Sequence, residues 1–137
     1  MEYLSHSIQE TYDLAKKIAD KCVGGEVIVL NGDLGAGKTT FTKGFAEALG
    51  VKNAVTSPTF TLMKKYVGRL TLYHFDLYRI ENTDELEELG FDDYIGEKDA
   101  VCMIEWNKFS DLIDPIVIDI FYVSETERKM IVRGVEL

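Results

Sequence analysis

The chain is short of the residues that mark several protein classes. It has 2 cysteines, 2 prolines and 1 tryptophan in 137 residues, and its 15 basic side chains face 24 acidic ones, a formal charge of -9. Cys22 and Cys102 lie far apart with no Cys or His at ligand spacing, so neither a disulfide framework nor a zinc site is expected. A single bridge between them and a pair of buried reduced thiols both remain open. The deficit of Lys and Arg argues against a grip on naked DNA or RNA and against a polybasic membrane-surface binder. No run of 18 apolar residues is present, so no membrane-crossing helix is expected. The opening MEYLSHSIQETYDLAKK has no basic start followed by an apolar run, as a signal peptide would. The expectation is a soluble cytoplasmic protein without a repeat, linker or low-complexity segment. A small anionic ligand remains compatible with the acidity, because a few local groups suffice to hold it.

The length is that of one domain, residues 1–137, with 46% hydrophobic and 28% charged residues as in ordinary globular proteins. Ser7 and Glu10 have capping-box spacing, and Leu14, Ala15, Ile18, Ala19 and Cys22 repeat at helical period up to Gly24 and Gly25. Val27 to Leu30 is a short apolar, β-branched run, as expected of a strand buried on both faces. A second helix is expected from about Thr39 to Leu49, closed by Gly50. Phe60 to Tyr66 and Leu70 to Asp76 read as a hairpin about Val67-Gly68-Arg69. An acidic helix from about Thr83 to Leu89 ends at Gly90, and a further helical turn is expected around Asp92 to Ile95. Val101 to Ile104 is another apolar strand, and Ile116 to Tyr122 pairs with Lys129 to Val132 across a polar turn. Helices beside buried strands and two hairpins give an α/β fold with a mixed, partly antiparallel central sheet.

The most specific signal is Gly32-Asp33-Leu34-Gly35-Ala36-Gly37-Lys38-Thr39, a full match to GxxxxGK(S/T) placed after a buried strand and opening a helix. Each residue type has a physical reason. Gly32, Gly35 and Gly37 let the backbone turn its N–H groups inward as a nest for phosphate oxygens. The helix that follows adds the positive end of its dipole. Lys38 brings a point charge to the β- and γ-phosphates, and the Thr39 hydroxyl is a Mg2+ ligand. The alternative is a glycine-rich strand-to-helix turn with an exposed lysine.

Such a loop needs an acid at the end of a neighbouring apolar strand. Glu105 ends Val101-Cys102-Met103-Ile104 and is the first candidate, against the reading of an ordinary exposed strand-end acid. Asp76, at the end of the strand that carries His74 and Phe75, is the second. Alternation points His74 and Asp76 to one face and Phe75 to the other. Ser57-Pro58-Thr59 is either a loop that senses the γ-phosphate or a turn anchored by proline. Trp106 either stacks on a base or partner or packs in the core. The run from Asp84 to Glu88 is a solvated face or a docking surface for a basic partner. Asn107-Lys108-Phe109-Ser110 and Asp93-Tyr94-Ile95-Gly96 imitate guanine-nucleotide motifs. The first lacks its final Asp and the second follows a helical stretch, so both are read as accidental.

Taken in order, Gly32 to Phe41, Ser57-Pro-Thr-Phe60, His74-Phe-Asp-Leu-Tyr-Arg79 and Ile104-Glu-Trp106 resemble the TsaE (YjeE) family over nearly the whole chain. These are bacterial ATPases of tRNA threonylcarbamoyladenosine synthesis. The resemblance implies a single-domain P-loop NTPase-like three-layer fold and an ATP- and Mg2+-dependent P-loop ATPase that acts with TsaB and TsaD proteins, which handle the tRNA. It implies that Asp33, Leu34, Gly35, Ala36, Gly37, Lys38, Thr39 and Thr40 hold ATP, and that Thr39 and Glu105 hold Mg2+. By the same resemblance Lys38, Asp76 and Glu105 are catalytic, Ser57 to Thr59 form a switch-like loop, and Thr11 lies near the nucleotide. Trp106 would sit at the catalytic or partner-facing edge. The chain departs from the family at Asn107-Lys108, where a proline or small residue followed by an acid is common. A cis arginine finger is not evident, with Arg79 the candidate. Two other classes remain: a small P-loop kinase acting on a metabolite, for which an Arg-rich lid is missing, and a nucleotide switch that does not depend on hydrolysis.

Overall fold

A computed structural model describes residues 1–33, 35–58 and 61–137. The elements in chain order are β1 (Glu2–Ser5), α1 (Ile8–Lys21), β2 (Val27–Asn31), α2 (Lys38–Ala48), β3 (Met63–Val67), β4 (Thr71–Asp76), α3 (Asp84–Glu88), a 3-10 turn (Phe91–Tyr94), β5 (Ala100–Glu105), β6 (Ile116–Tyr122) and β7 (Arg128–Arg133). The described residues form one seven-stranded sheet in the order β1-β7-β6-β2-β5-β4-β3. Its centre, β6-β2-β5-β4, is parallel, and β3, β7 and β1 join antiparallel at the edges. This is the expected mixed α/β sheet.

Alternation along the strands divides the core in two. Ile28, Leu30, Leu72, Val101, Met103, Ile118 and Met130 face α1 and α2, which contribute Leu14, Ile18, Phe41 and Phe45. Val27, Tyr73, Phe75, Cys102 and Ile104 face the other way, under Leu86 of α3 and Phe91 of the 3-10 turn. β2, β4 and β5 therefore have apolar side chains on both faces, which is why they read as continuous runs. No helix among the described residues is long and apolar enough to cross a membrane. Cys22 and Cys102 are free and buried in these two separate clusters, so the single bridge is not formed. Burial pushes both thiols up to about 12.

The forward half of the capping box of α1 is present: Ser7 Oγ accepts from the Glu10 N–H at 3.1 Å, while Glu10 Oε1 reaches one residue further back and accepts from the His6 N–H at 3.0 Å. The helix ends at Lys21, short of the glycines expected to close it, with Cys22 extended. Arg69, in the turn between β3 and β4, explains the early stop. Its guanidinium donates to the carbonyls of Ala19 at 2.6 Å and Cys22 at 3.0 Å, satisfying groups that a helix end leaves open. β3 begins at Met63, later than the expected Phe60, because the Thr61 and Leu62 N–H groups both turn back to the Pro58 carbonyl. Phe60 itself lies outside the described residues. β1 was not anticipated from sequence; among the described residues it pairs with β7, at the far end of the chain.

The two long helices approach closely at Gly44 of α2. A Cβ there would sit 2.9 Å from Tyr12 Cα and 2.7 Å from Tyr12 Cδ1. At an open helix site Gly→Ala adds about 1 kcal/mol of stability. Overpacking costs about 1–3 kcal/mol and dominates when backbone must move. Gly44→Ala is therefore expected to lower stability in urea denaturation; a more stable variant would contradict the packing described.

Candidate functional site

The parallel register brings three strand ends to one edge. Leu30 of β2 is opposite Glu105 of β5, and Glu105 is opposite Asp76 of β4. In open α/β sheets the crevice beyond the carboxyl ends of parallel strands is where ligands bind. Here the loop after β2 crosses that edge and enters α2 through Gly37, whose φ of 117° lies in a region that a side chain disfavours. Lys38 is the first residue of α2, so its side chain and the free N–H groups of the helix start face the same space.

A cavity of about 270 Å³ lies there, lined by Gly35, Gly37, Lys38, Thr39, Thr40, Ser57, Asp76, Glu105, Trp106 and Arg128. It gathers residues from sequence positions far apart. Glu105 is 5% exposed, unlike an ordinary strand-end acid. Its Oε1 lies 3.7 Å from Lys38 Nζ, and its Oε2 is hydrogen-bonded to His74 Nε2 at 2.6 Å. Asp76 is also buried, and its Oδ1 accepts from the Tyr78 N–H at 3.1 Å. Lys38 Nζ lies 4.1 Å from the centre of the Trp106 ring, a cation–π contact, and Trp106 meets Tyr78 edge-on. Trp106 is thus half-buried beside the lysine and outside both core clusters. The oxygen donors at this edge, the Thr39 hydroxyl and two carboxylates, are those that hard divalent cations take. The N–H groups and Lys38 are those that phosphate takes.

The other sequence candidates fall around this cavity. Asp33 and Ala36 line an adjoining space of about 450 Å³ with Asp119 and Tyr122, which shares Lys38 and Trp106 with the first. Thr11 lines a third, of about 440 Å³, which shares Gly37, Thr40 and Arg128 with the first. The Thr11 hydroxyl is bonded to Ser5 Oγ at 2.8 Å. Leu34 and Thr59 lie outside the described residues, so the expectations placed on them are not addressed. Arg79 is exposed in the turn after β4. Asn107, in the imitation guanine motif, is engaged locally: its Oδ1 accepts from the Phe109 N–H at 2.9 Å. Asp93 falls at the 3-10 turn and not after a strand.

Two residues at the site received no role from sequence. His74 was placed on the right face of its strand, but its partner appears only through the β4–β5 register. Arg128 opens β7 and carried no motif. Its Nε donates to the Ala36 carbonyl at 2.8 Å, and its Nη1 to the carbonyls of Ser124 at 2.5 Å and Glu127 at 2.9 Å. It thereby ties the glycine loop to the β6–β7 hairpin. Hydrogen bonds from charged donors contribute about 1.5–3 kcal/mol. Arg128→Ala is expected to lower stability by about that amount and to accelerate amide exchange at Ala36 to Lys38. Unchanged exchange in that loop would contradict the tie.

Comparison with known proteins bears on the same residues. The family model "Threonylcarbamoyl adenosine biosynthesis protein TsaE" matches residues 5–131. The tRNA threonylcarbamoyladenosine biosynthesis protein TsaE of Bacillus subtilis is 54% identical over 99 residues, which is 72% of this chain and 61% of that protein. The chain thus matches less than two thirds of that relative's length. The protein of the same description from Aquifex aeolicus is 42% identical over 132 residues, 94% of this chain and 92% of its own. A crystal structure of YdiB from Bacillus subtilis superposes with a TM-score of 0.79 at 39% identity, covering 95% of this chain and 82% of that one.

Proposed function

The chain belongs to the TsaE family of threonylcarbamoyl adenosine biosynthesis proteins, and from that premise we propose that it binds and hydrolyses ATP with Mg2+. In this reading it works in the cytoplasm with TsaB and TsaD, which carry the tRNA chemistry. The observation that carries the reading is the convergence of Lys38, Thr39, Asp76 and Glu105 on one cavity at the start of α2.

The donor set fits the group. Among the described residues, no cluster of three His, Cys, Asp or Glu side chains could hold a metal alone. A magnesium ion shared with phosphate oxygens needs no such cluster; it takes one or two protein oxygens and keeps several waters. Thr39 and Glu105 would supply those oxygens. Bound there, Mg2+ supplies neutralisation of charge on the transferring phosphoryl group.

The chain's own residues do the rest. The N–H groups of the Gly35 to Thr40 segment hold the phosphates, and the α2 dipole favours their charge. Lys38 stabilises the charge that develops on the phosphoryl oxygens, in a site where burial strengthens its effect. Asp76, beside Glu105, accepts hydrogen bonds from the attacking water and orients it. Trp106 and Tyr78 cover the lysine and keep bulk water from it. The acidic surface leaves tRNA to the partners, since a charge of -9 disfavours a direct grip on phosphate backbone.

The reading is tested by phosphate release from ATP with and without TsaB and TsaD. Turnover is expected to rise when the partners are present. Lys38→Ala and Glu105→Ala are expected to lose about 10²–10³-fold, the scale on which removal of one charge-stabilising group acts. Thermal melts control for folding, because each variant unpairs a buried charge. Equal phosphate release by the wild type and both variants would overturn the reading.

A further inference from the structure

His74 is fully buried on β4, opposite Met103 of β5 and one turn of the strand from Leu72, on the face covered by α1 and α2. An imidazole there costs stability unless it makes a specific bond, and an aliphatic side chain would serve packing at least as well. The bond it makes is to Glu105: Nε2 to Oε2, 2.6 Å. With the carboxylate as the acceptor, the hydrogen is assigned to Nε2. Nδ1 has no partner among the described residues. The ring is therefore held for one contact, and that contact reaches the acid beside Lys38.

The geometry points to His74 as a positioning residue that acts through Glu105, and the role rests on the proposal that Glu105 holds Mg2+. The terminal torsion of a glutamate is broad and two-fold, so a free carboxylate samples several planes. The Nε2–H bond fixes one oxygen of Glu105 against β4. The other, Oε1, is then left facing Lys38 at 3.7 Å and the cavity beyond. Hydrogen bonds of this kind to a ligating carboxylate orient it toward the metal, and their loss typically costs about 10–100-fold in metal affinity or activity. His74 thus sets metal affinity without touching the nucleotide, and its removal leaves the phosphate-binding N–H groups and Lys38 in place.

The test is Mn2+ binding by electron paramagnetic resonance in the presence of ADP, with ADP binding in EDTA measured in parallel. His74→Leu removes the donor; His74→Gln keeps an N–H near the position of Nε2. His74→Leu is expected to weaken Mn2+ binding about 10–100-fold, while His74→Gln recovers most of the loss and ADP binding in EDTA is unchanged in both. If His74→Leu does not fold, His74→Asn, whose shorter amide cannot span to Glu105, must show the same loss. Mn2+ binding by the donor-free variant equal to wild type, a His74→Gln no better than it, or a parallel loss of metal-free ADP binding would overturn the role. Wild type that binds ADP but no Mn2+ beside it would overturn the metal site of Glu105 itself, and the role of His74 with it.

Discussion

A buried carboxylate holds this site together. Glu105 stands at the end of β5 with a short bond to His74 of β4 on one oxygen and the Lys38 ammonium of α2 near the other. Taking such charges out of water costs several kcal/mol per ion unless partners compensate, and removing one partner of a buried pair typically costs about 3–5 kcal/mol. The three side chains come from β4, β5 and the first turn of α2, so their mutual satisfaction requires the sheet register and the helix start to be correct together. The loop between β2 and α2 is confined by the same requirement, and Arg128 fixes it from the other side through the Ala36 carbonyl.

The architecture follows from where that carboxylate must lie. Four central parallel strands place the ends of β2, β5 and β4 side by side, and there the glycine loop, Glu105 and Asp76 share a cavity. The faces of the sheet carry the stability instead: α1 and α2 close one, and α3 with the 3-10 turn closes the other. In the proposed function this separation lets an acidic chain carry a local anion pocket. Its positive character would come from backbone N–H groups, a helix start and one lysine, and not from net charge.

Much of this was legible in the sequence, and the unread part has physical reasons. The glycine-rich turn into α2 was readable because its signals are local, with glycines, a lysine and a helix start within eight residues. β2 and β5 were readable because strands buried on both faces are apolar throughout. Glu105 and Asp76 were readable as acids ending such strands. β1 was not, because Glu2 to Ser5 mixes exposed and buried positions and gains its pairing from residues 128–131. The roles of His74 and Arg128 arise from register and from a turn distant in sequence, which no spacing rule reports. The end of α1 was misplaced for a similar reason, since its cap is the distant Arg69 and not the adjacent glycines. The loop motif also does not say which way each side chain points: Asp33 and Ala36 border one cavity, Gly35 and Thr39 another, and Lys38 lines both.

The central claim is that one of three neighbouring cavities, the one beneath Lys38 and Glu105, holds the phosphates and the metal. A crystal structure with a non-hydrolysable ATP analogue and Mn2+ tests it most directly, because the anomalous signal of manganese locates the ion without reference to the protein. The account predicts the ion between Thr39 and Glu105, with the phosphates against the N–H groups of Gly35 to Thr40. An ion or triphosphate seated instead in the space beside Asp33, Asp119 and Tyr122 would contradict it.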